Sequence, residues 1–118
     1  AAVNEIVDLT VFFFFLDDSK TATKIEPLEQ VIDLINAKLK QTHINRLRNN
    51  DCTIELGFIF TELLTNLERV SDHCSNIAIY TMQLDDDSWG PHKYLNTIKS
   101  QQNNQFVRDF KAFSDKYL

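Results

Sequence analysis

Glycine and proline are scarce in this chain, and their scarcity limits the possible folds more than any other feature. Only two residues of each type occur among the 118. Tight β-turns depend on these residues, so the sequence favours long uninterrupted helices over a β-rich architecture. The hydrophobic content of 43% and the charged content of 25% are ordinary for a globular domain. We therefore expect a single all-α domain over residues 1–118.

Charge and hydropathy exclude two broad classes of function. A net charge of -5 provides no basic field to displace counterions from DNA or RNA, so a general nucleic-acid binder is excluded. No apolar run reaches the length of a membrane span. We expect a cytoplasmic domain that does not itself insert into a membrane. The two cysteines, Cys52 and Cys74, are too few for a disulfide framework and are expected to be reduced thiols in or near a helical core.

Apolar residues recur at intervals of three and four along most of the chain, which is the period of an α-helix. The pattern predicts helices over residues 3–16, 19–49, 52–84, 92–100 and 105–117. Pro27 either belongs to the first turn of a shorter helix that starts near Lys24 or kinks a longer one, and we favour the longer, kinked helix. Asp51 is the expected N-cap of the third helix. Short turns between long helices predict an antiparallel up-down bundle, with a core over residues 4–84 and a C-terminal helical extension over residues 91–118.

The third helix has two distinct faces. One arc carries the apolar residues, which we expect to form the core: Leu56, Ile59, Phe60, Leu63, Leu67, Val70, Cys74, Ile77 and Ala78. The opposite arc is polar and carries Thr65, Glu68, Asp72 and Asn76.

Two groups of aromatic residues exceed what a small bundle can readily bury. Four phenylalanines in a row at positions 12–15 cover every face of one helical turn, so this turn is either buried on several sides or in contact with another chain. In the last helix, Phe106, Phe110, Phe113 and Tyr117 form one stripe suited to core packing or to a partner helix. We expect a homo-oligomer that buries one of these two surfaces.

Glu68 and Asp72 are the candidate metal ligands. They are four residues apart, so both carboxylates project from one side of the helix, and a cation between them would remove their mutual repulsion. Oxygen ligands of this kind suit iron, manganese, magnesium or calcium. His73 lies on the flank of this face, where a hydrogen bond to a neighbouring helix is favoured over ligation. The other carboxylates, including Glu26, Glu29 and Asp33, are expected to be solvated.

No catalytic motif accompanies these carboxylates. The sequence contains neither a nucleophile–base arrangement nor a glycine-rich loop for phosphate, so we expect a protein that is not an enzyme.

Residues 67–78, L-E-R-V-S-D-H-C-S-N-I-A, are similar to the L-E-R-x-x-D-H-x-x-N-I-A signature of third helices in the PhoU family. Residues 25–33 and 43–59 resemble the sodium/phosphate cotransporter branch of that family. The resemblance implies a three-helix bundle, usually present as two tandem copies, with a multinuclear metal cluster on the motif carboxylates. Here that role transfers only to Glu68 and Asp72. The resemblance also implies a regulatory role in phosphate uptake, or a domain fused behind a membrane transporter.

Only one copy of the motif is present, which indicates half of a larger unit or an excised domain. The expected partners are the membrane domain of a transporter or other subunits. The alternatives are a stand-alone PhoU-type adaptor that binds a sensor kinase and an ABC transporter, and a helical interaction module without metal. Transmembrane segments upstream in the full reading frame would favour the transporter, and two tandem bundles without them would favour the adaptor.

Overall fold

The computed structural model describes residues 1–85 and 104–118, and these residues contain four α-helices. They are α1 (Ala2–Leu16), α2 (Ser19–Arg48), α3 (Ile54–Asp85) and α4 (Asn104–Tyr117). No strand occurs within these two ranges, so the predicted all-α fold is confirmed. Each predicted helix in these ranges is present with its ends within two residues of the prediction. The helix predicted over residues 92–100 lies outside the described residues.

The turn between α1 and α2 is formed by two aspartates. Asp17 ends α1 in the left-handed conformation, at φ 52° and ψ 43°, which aspartate tolerates better than most residues. Asp18 then caps α2, because its carboxylate accepts a hydrogen bond from the backbone N–H of Lys20 at 3.0 Å. The chain therefore reverses within two residues and sets α2 antiparallel to α1.

The start of α3 differs from the prediction. Thr53, rather than Asp51, caps this helix: its hydroxyl accepts a hydrogen bond from the backbone N–H of Leu56 at 3.2 Å. The backbone N–H of Asp51 instead donates to the carbonyl of Arg46 at 2.9 Å, which ties Asp51 to the end of α2. Asn50, at φ 58°, provides the left-handed residue that this turn needs.

Helix α2 is continuous through Pro27, as the longer of the two predicted helices requires. Proline lacks a backbone N–H, so the carbonyl of Thr23 loses its usual partner four residues on. Pro27 is itself fully buried, and its packing in the core offsets part of that loss. The expected kink remains a prediction.

Helices α1, α2 and α3 pack against one another, and α4 packs on α2. The buried cluster at the centre consists of Ile6, Phe13, Ala22, Ile25, Leu28, Ile32, Cys74 and Ala78. Phe113 and Tyr117 of α4 are partly buried against this cluster. Lys116 anchors the same end of α4 by an ion pair with Glu5 of α1, at 2.7 Å. The aromatic stripe of the last helix therefore packs against the core of this chain, which is one of the two roles predicted for it.

The predicted core face of α3 is wrong over much of its length. Five residues of the apolar arc are exposed: Leu56, Ile59, Leu63, Val70 and Ile77. The buried face is displaced around the helix and is rich in small residues: Gly57, Leu64, Ser71, Cys74, Ser75, Ala78 and Ile79. Small side chains let a neighbouring helix approach closely, so this face packs against α1 and α2 while several larger residues beside it stay exposed.

The four phenylalanines at positions 12–15 have different environments. Phe13 is buried in the core, whereas Phe12, Phe14 and Phe15 are exposed by 47%, 59% and 76%. Among the described residues, this turn is therefore not buried on several sides. Both cysteines are free thiols, and Cys74 is buried, as expected. Within residues 1–85 and 104–118, no helix is both long and apolar enough to cross a membrane.

Candidate metal centre

Carboxylates from α2 and α3 converge midway along the bundle. One oxygen each from Glu29, Asp33 and Asp72 can be chosen so that all three lie within 4.8 Å of one another. Glu29 is buried, whereas Asp33 and Asp72 are exposed, so the group opens from the helix interface to solvent. We call these three residues the acidic triad.

The helical period places the triad at the edge of the core. Ile25, Leu28 and Ile32 direct α2 into the bundle and are almost completely buried. At 100° per residue, Glu29 and Asp33 follow Leu28 and Ile32 by one position each and lie on the flank of that face. Asp72 similarly follows the buried Ser71 on α3. Packing α2 on α3 through their apolar residues therefore brings the three carboxylates together.

A second buried glutamate, Glu26, lies one turn before Glu29. Its Oε2 accepts a hydrogen bond of 2.7 Å from the hydroxyl of Ser75, a contact that joins α2 to α3. Its Oε1 lies 3.5 Å from the side-chain nitrogen of Gln30. Glu26 is thus held by polar partners, but its negative charge remains close to the triad.

Glu29 has the most perturbed acidity in the described part of the chain. Burial, followed by the charges of Glu26 and Asp33, raises the pKa of Glu29 from 4.5 to about 9. Hydrogen bonds that the protonated carboxyl donates to Asp33 and Asp72 act in the same direction. At neutral pH and without a cation, Glu29 therefore holds a proton and shares it with Asp33 and Asp72.

Asp33 responds to the same surroundings. Burial is the largest cause, and it raises the pKa of Asp33. The negative charges of Asp72, Glu68 and Glu26 also raise this pKa, whereas the hydrogen bond from Glu29 lowers it. Glu68 is thus close enough to affect the triad without belonging to it. The carboxylate of Glu68 forms an ion pair with Lys40, whose Nζ lies 3.3 Å from Oε2.

The two sequence-predicted ligands therefore lie in the same region but in different roles. Asp72 belongs to the triad, whereas Glu68 lies at its rim and is paired with Lys40. Of the neighbouring polar residues, Thr65 donates its hydroxyl to the carbonyl of Thr61, and His73 is exposed. No hydrogen bond from His73 to a neighbouring helix is present among the described residues.

Sequence reasoning missed the contribution of α2. Glu26 and Glu29 were expected to be solvated, but both are buried, with exposures of 9% and 8%. The signal was available, because Glu29 and Asp33 have the same four-residue spacing as Glu68 and Asp72. Both pairs also flank an apolar face, so packing those faces together sets the pairs opposite each other.

The residues present fit a hard divalent cation. All three triad ligands are carboxylate oxygens, the donors that magnesium, calcium, manganese and ferrous iron share. Burying Glu29 beside other carboxylates is costly unless a proton or a cation neutralises the group. A cation would replace the shared proton, and the exposed side of the triad leaves room for water as further ligands.

Comparison with known proteins identifies relatives of the chain. Residues 1–81 match the family model described as the PhoU domain. Over 65 residues, or 55% of this chain, the sequence is 28% identical to the phosphate-specific transport system accessory protein PhoU homolog 1 of Thermotoga maritima. The matched segment covers only 28% of the length of that relative. No solved structure gives a significant match.

Proposed function

Because the chain belongs to the PhoU domain family, we propose that it regulates phosphate uptake as a non-catalytic domain of a sodium/phosphate cotransporter-type protein. The observation that carries the proposal is the family match over residues 1–81. The cotransporter context has separate support from the resemblance of residues 25–33 and 43–59 to that branch. The domain would then lie on the cytosolic face of the membrane and contact the membrane domain of the transporter.

The acidic triad is the proposed regulatory element. A hard cation would be held by Glu29, Asp33 and Asp72, and it would supply positive charge to a surface that otherwise carries several carboxylates. Such a change alters which partner surface the domain attracts. It biases a transporter only if the domain contacts the two transport states unequally, because equal contact shifts no equilibrium.

The ion pair of Lys40 with Glu68 would connect cation binding at the triad to a change at the protein surface. Their side chains are 46% and 35% exposed, so the ion pair contributes little to stability and can exchange readily. With a cation on the triad, Glu68 gains a second positive neighbour in competition with Lys40. With a cation bound, the surface around α2 and α3 would therefore present the free ammonium group of Lys40. Without a cation, it would present the ion pair of Lys40 with Glu68.

The function is tested in cells that carry the full-length protein. Asp33→Asn together with Asp72→Asn removes two ligands while leaving the apolar core untouched, so we expect an intact fold and altered phosphate uptake. Glu62→Gln is the matched control, since Glu62 is an exposed carboxylate elsewhere on α3. Unchanged uptake in the double variant, with thermal unfolding also unchanged, would mean that the triad is inert surface.

The full reading frame separates the two family contexts. Transmembrane segments encoded beside this domain support the cotransporter. Two tandem bundles without such segments instead favour the adaptor that binds a sensor kinase and an ABC transporter. If the domain binds no metal and does not affect phosphate uptake, the remaining interpretation is a helical interaction module without metal.

A further inference from the structure

A cavity of about 470 Å³ opens to solvent where α2 ends and α3 begins. Residues of the last turns of α2, of the connecting turn and of the first turns of α3 line it, and they include His43, Arg46, Asn50, Asp51, Thr53 and Phe60. Arg46 lies roughly 20 Å along α2 from Asp33 of the acidic triad. The cavity is therefore separate from the candidate metal centre.

The two helix ends that meet at this cavity differ in their free backbone groups. Carbonyls in the last turn of α2 accept hydrogen bonds from backbone N–H groups of the turn that follows: Asn45 from Asn49, Arg46 from Asp51 and Leu47 from Asn50. At the start of α3, Thr53 accepts hydrogen bonds from the N–H groups of Leu56 and Gly57. The N–H groups of Ile54 and Glu55 have no acceptor among the described residues. The cavity is therefore next to the partial positive charge of a helix N-terminus.

Arg46 adds a full positive charge to the same cavity. Its guanidinium lies over the ring of Phe60, 5.2 Å from the ring centroid, and this stacking holds the side chain at the cavity wall. No salt bridge between Arg46 and a carboxylate is present in the described part of the chain. Its N–H donors are therefore available to a bound group that can accept several hydrogen bonds at once.

His43 is a buried polar side chain of the cavity lining that lacks a partner. It is 5% exposed, and its Nδ1 is buried without a hydrogen-bond partner. The Cε1 and Nε2 atoms of its ring lie against Gly57, at the position where a Cβ would be, and Nδ1 is not part of that contact. A buried ring nitrogen without a partner is costly, so its place in the lining points to a ligand that shares a hydrogen bond with it.

We propose that this cavity binds a tetrahedral oxyanion, either inorganic phosphate or the phosphoryl group of a small phosphate monoester. The oxygens would accept hydrogen bonds from the N–H groups at the start of α3, from the guanidinium of Arg46 and from Nδ1 of His43. The hydroxyl of Thr53 and the side-chain amide of Asn50 are further donors in the lining. Phe60 gives the cavity an apolar wall, against which the organic part of a monoester would pack. The proposal rests neither on the metal centre nor on the regulation of phosphate uptake.

Asp51 opposes an anion in this cavity, and its effect gives the proposal a sign that can be measured. Its carboxylate is the negative side chain of the lining, and no salt bridge of Asp51 is present within the described ranges. Glu55, in the first turn of α3, is exposed and lies outside the lining. Removing the charge of Asp51 should therefore strengthen the binding of an oxyanion, whereas it would weaken the binding of a cation.

Isothermal titration calorimetry of the 118-residue chain, freed of metal by dialysis, measures the binding at constant ionic strength. We expect saturable binding of inorganic phosphate or of phenyl phosphate, and tighter binding of phenyl phosphate would identify a monoester as the ligand. Arg46→Gln should weaken binding at least about tenfold, and Asp51→Asn should strengthen it about threefold. Arg48→Gln is the matched control, because Arg48 lies in the same last turn but is exposed and outside the lining. Circular dichroism verifies that the variants remain helical.

Nuclear magnetic resonance locates the bound anion. On titration with phosphate, the backbone amide signals of Ile54 and Glu55 and the Nδ1 signal of His43 should shift more than the amide signals of Lys20 and Lys24, which are exposed cations at the other end of α2. Four results would overturn the proposal: no saturable binding by the wild type, equal weakening by Arg46→Gln and Arg48→Gln, weaker binding by Asp51→Asn, or the largest shifts at the two lysines.

Discussion

Replacing Glu29 by glutamine should remove a large part of the pH dependence of stability. The carboxyl of Glu29 is protonated in the folded chain at neutral pH, because its pKa is raised from 4.5 to about 9 by burial and by neighbouring carboxylates. A glutamine amide has the same shape and can donate hydrogen bonds to Asp33 and Asp72 as the protonated acid does. The variant should therefore fold like the wild type but lack the titration.

The sign and size of the effect follow from the two pKa values. The folded state holds a proton that the unfolded state releases above pH 4.5, so the stability that Glu29 contributes is complete below that pH and is lost as the pH rises towards 9. One proton corresponds to about 1.4 kcal/mol per pH unit. From about pH 5.5 to about pH 7.5, the wild type should lose about 3 kcal/mol relative to Glu29→Gln.

Urea unfolding across this pH range, with a chelator present to exclude metal, measures the difference. Contributions that the substitution does not alter are common to both proteins and cancel when the two curves are subtracted. Glu62→Gln serves as the control, and its curve should run parallel to that of the wild type. If the Glu29→Gln curve also runs parallel to the wild type, Glu29 is ionised in the folded chain and the account of its surroundings is wrong.

Two further substitutions test contacts between α2 and α3. Ser75→Ala removes the 2.7 Å hydrogen bond to the buried carboxyl of Glu26, and we expect urea unfolding to show a loss of about 2 kcal/mol; no loss would mean that water replaces the hydroxyl freely. Gly57→Ala places a new Cβ 3.0 Å from Nε2 of the buried His43, so overpacking should outweigh the gain in helix propensity and destabilise the domain by about 1 kcal/mol. The same change in a His43→Ala background should instead stabilise it, and equal effects in both backgrounds would contradict the predicted clash.

The helices were predictable because their signals are local. Periodicity, caps and the scarcity of glycine and proline located every described helix to within two residues. The cap of α3 was less certain, because Asp51 and Thr53 are both good N-caps and only the geometry of the turn decides between them. Thr53 is the residue whose side chain reaches the free backbone N–H.

The faces of α3 could not be assigned from one sequence. Hydrophobicity gives weight to large residues such as Leu63 and little to Gly57 or Ser71, yet the small residues face the neighbouring helices. Close helix packing depends on shape as well as on apolar area. The apolar arc of α3 is wider than the neighbouring helices can cover. One part of it is therefore buried and the other part is exposed.

The candidate site was only half predictable for a related reason. The motif on α3 drew attention to Glu68 and Asp72, but the packing of α2 decides which carboxylates meet. Glu29 and Asp33 come to Asp72 from a helix some 40 positions earlier in the sequence, and Lys40 from the same helix pairs with Glu68. A single sequence contains the four-residue spacing of both pairs but not the register of the two helices.

Binding of Mn²⁺ by the isolated chain tests the proposed metal centre most directly. Manganese takes the same oxygen ligands as magnesium and iron and can be counted by its electron paramagnetic resonance after equilibrium dialysis. We predict that the wild type retains Mn²⁺ and that Asp33→Asn with Asp72→Asn weakens its binding at least about tenfold, while Glu62→Gln binds like the wild type. Equal Mn²⁺ retention by all three proteins, or none by the wild type, would contradict a metal centre at Glu29, Asp33 and Asp72.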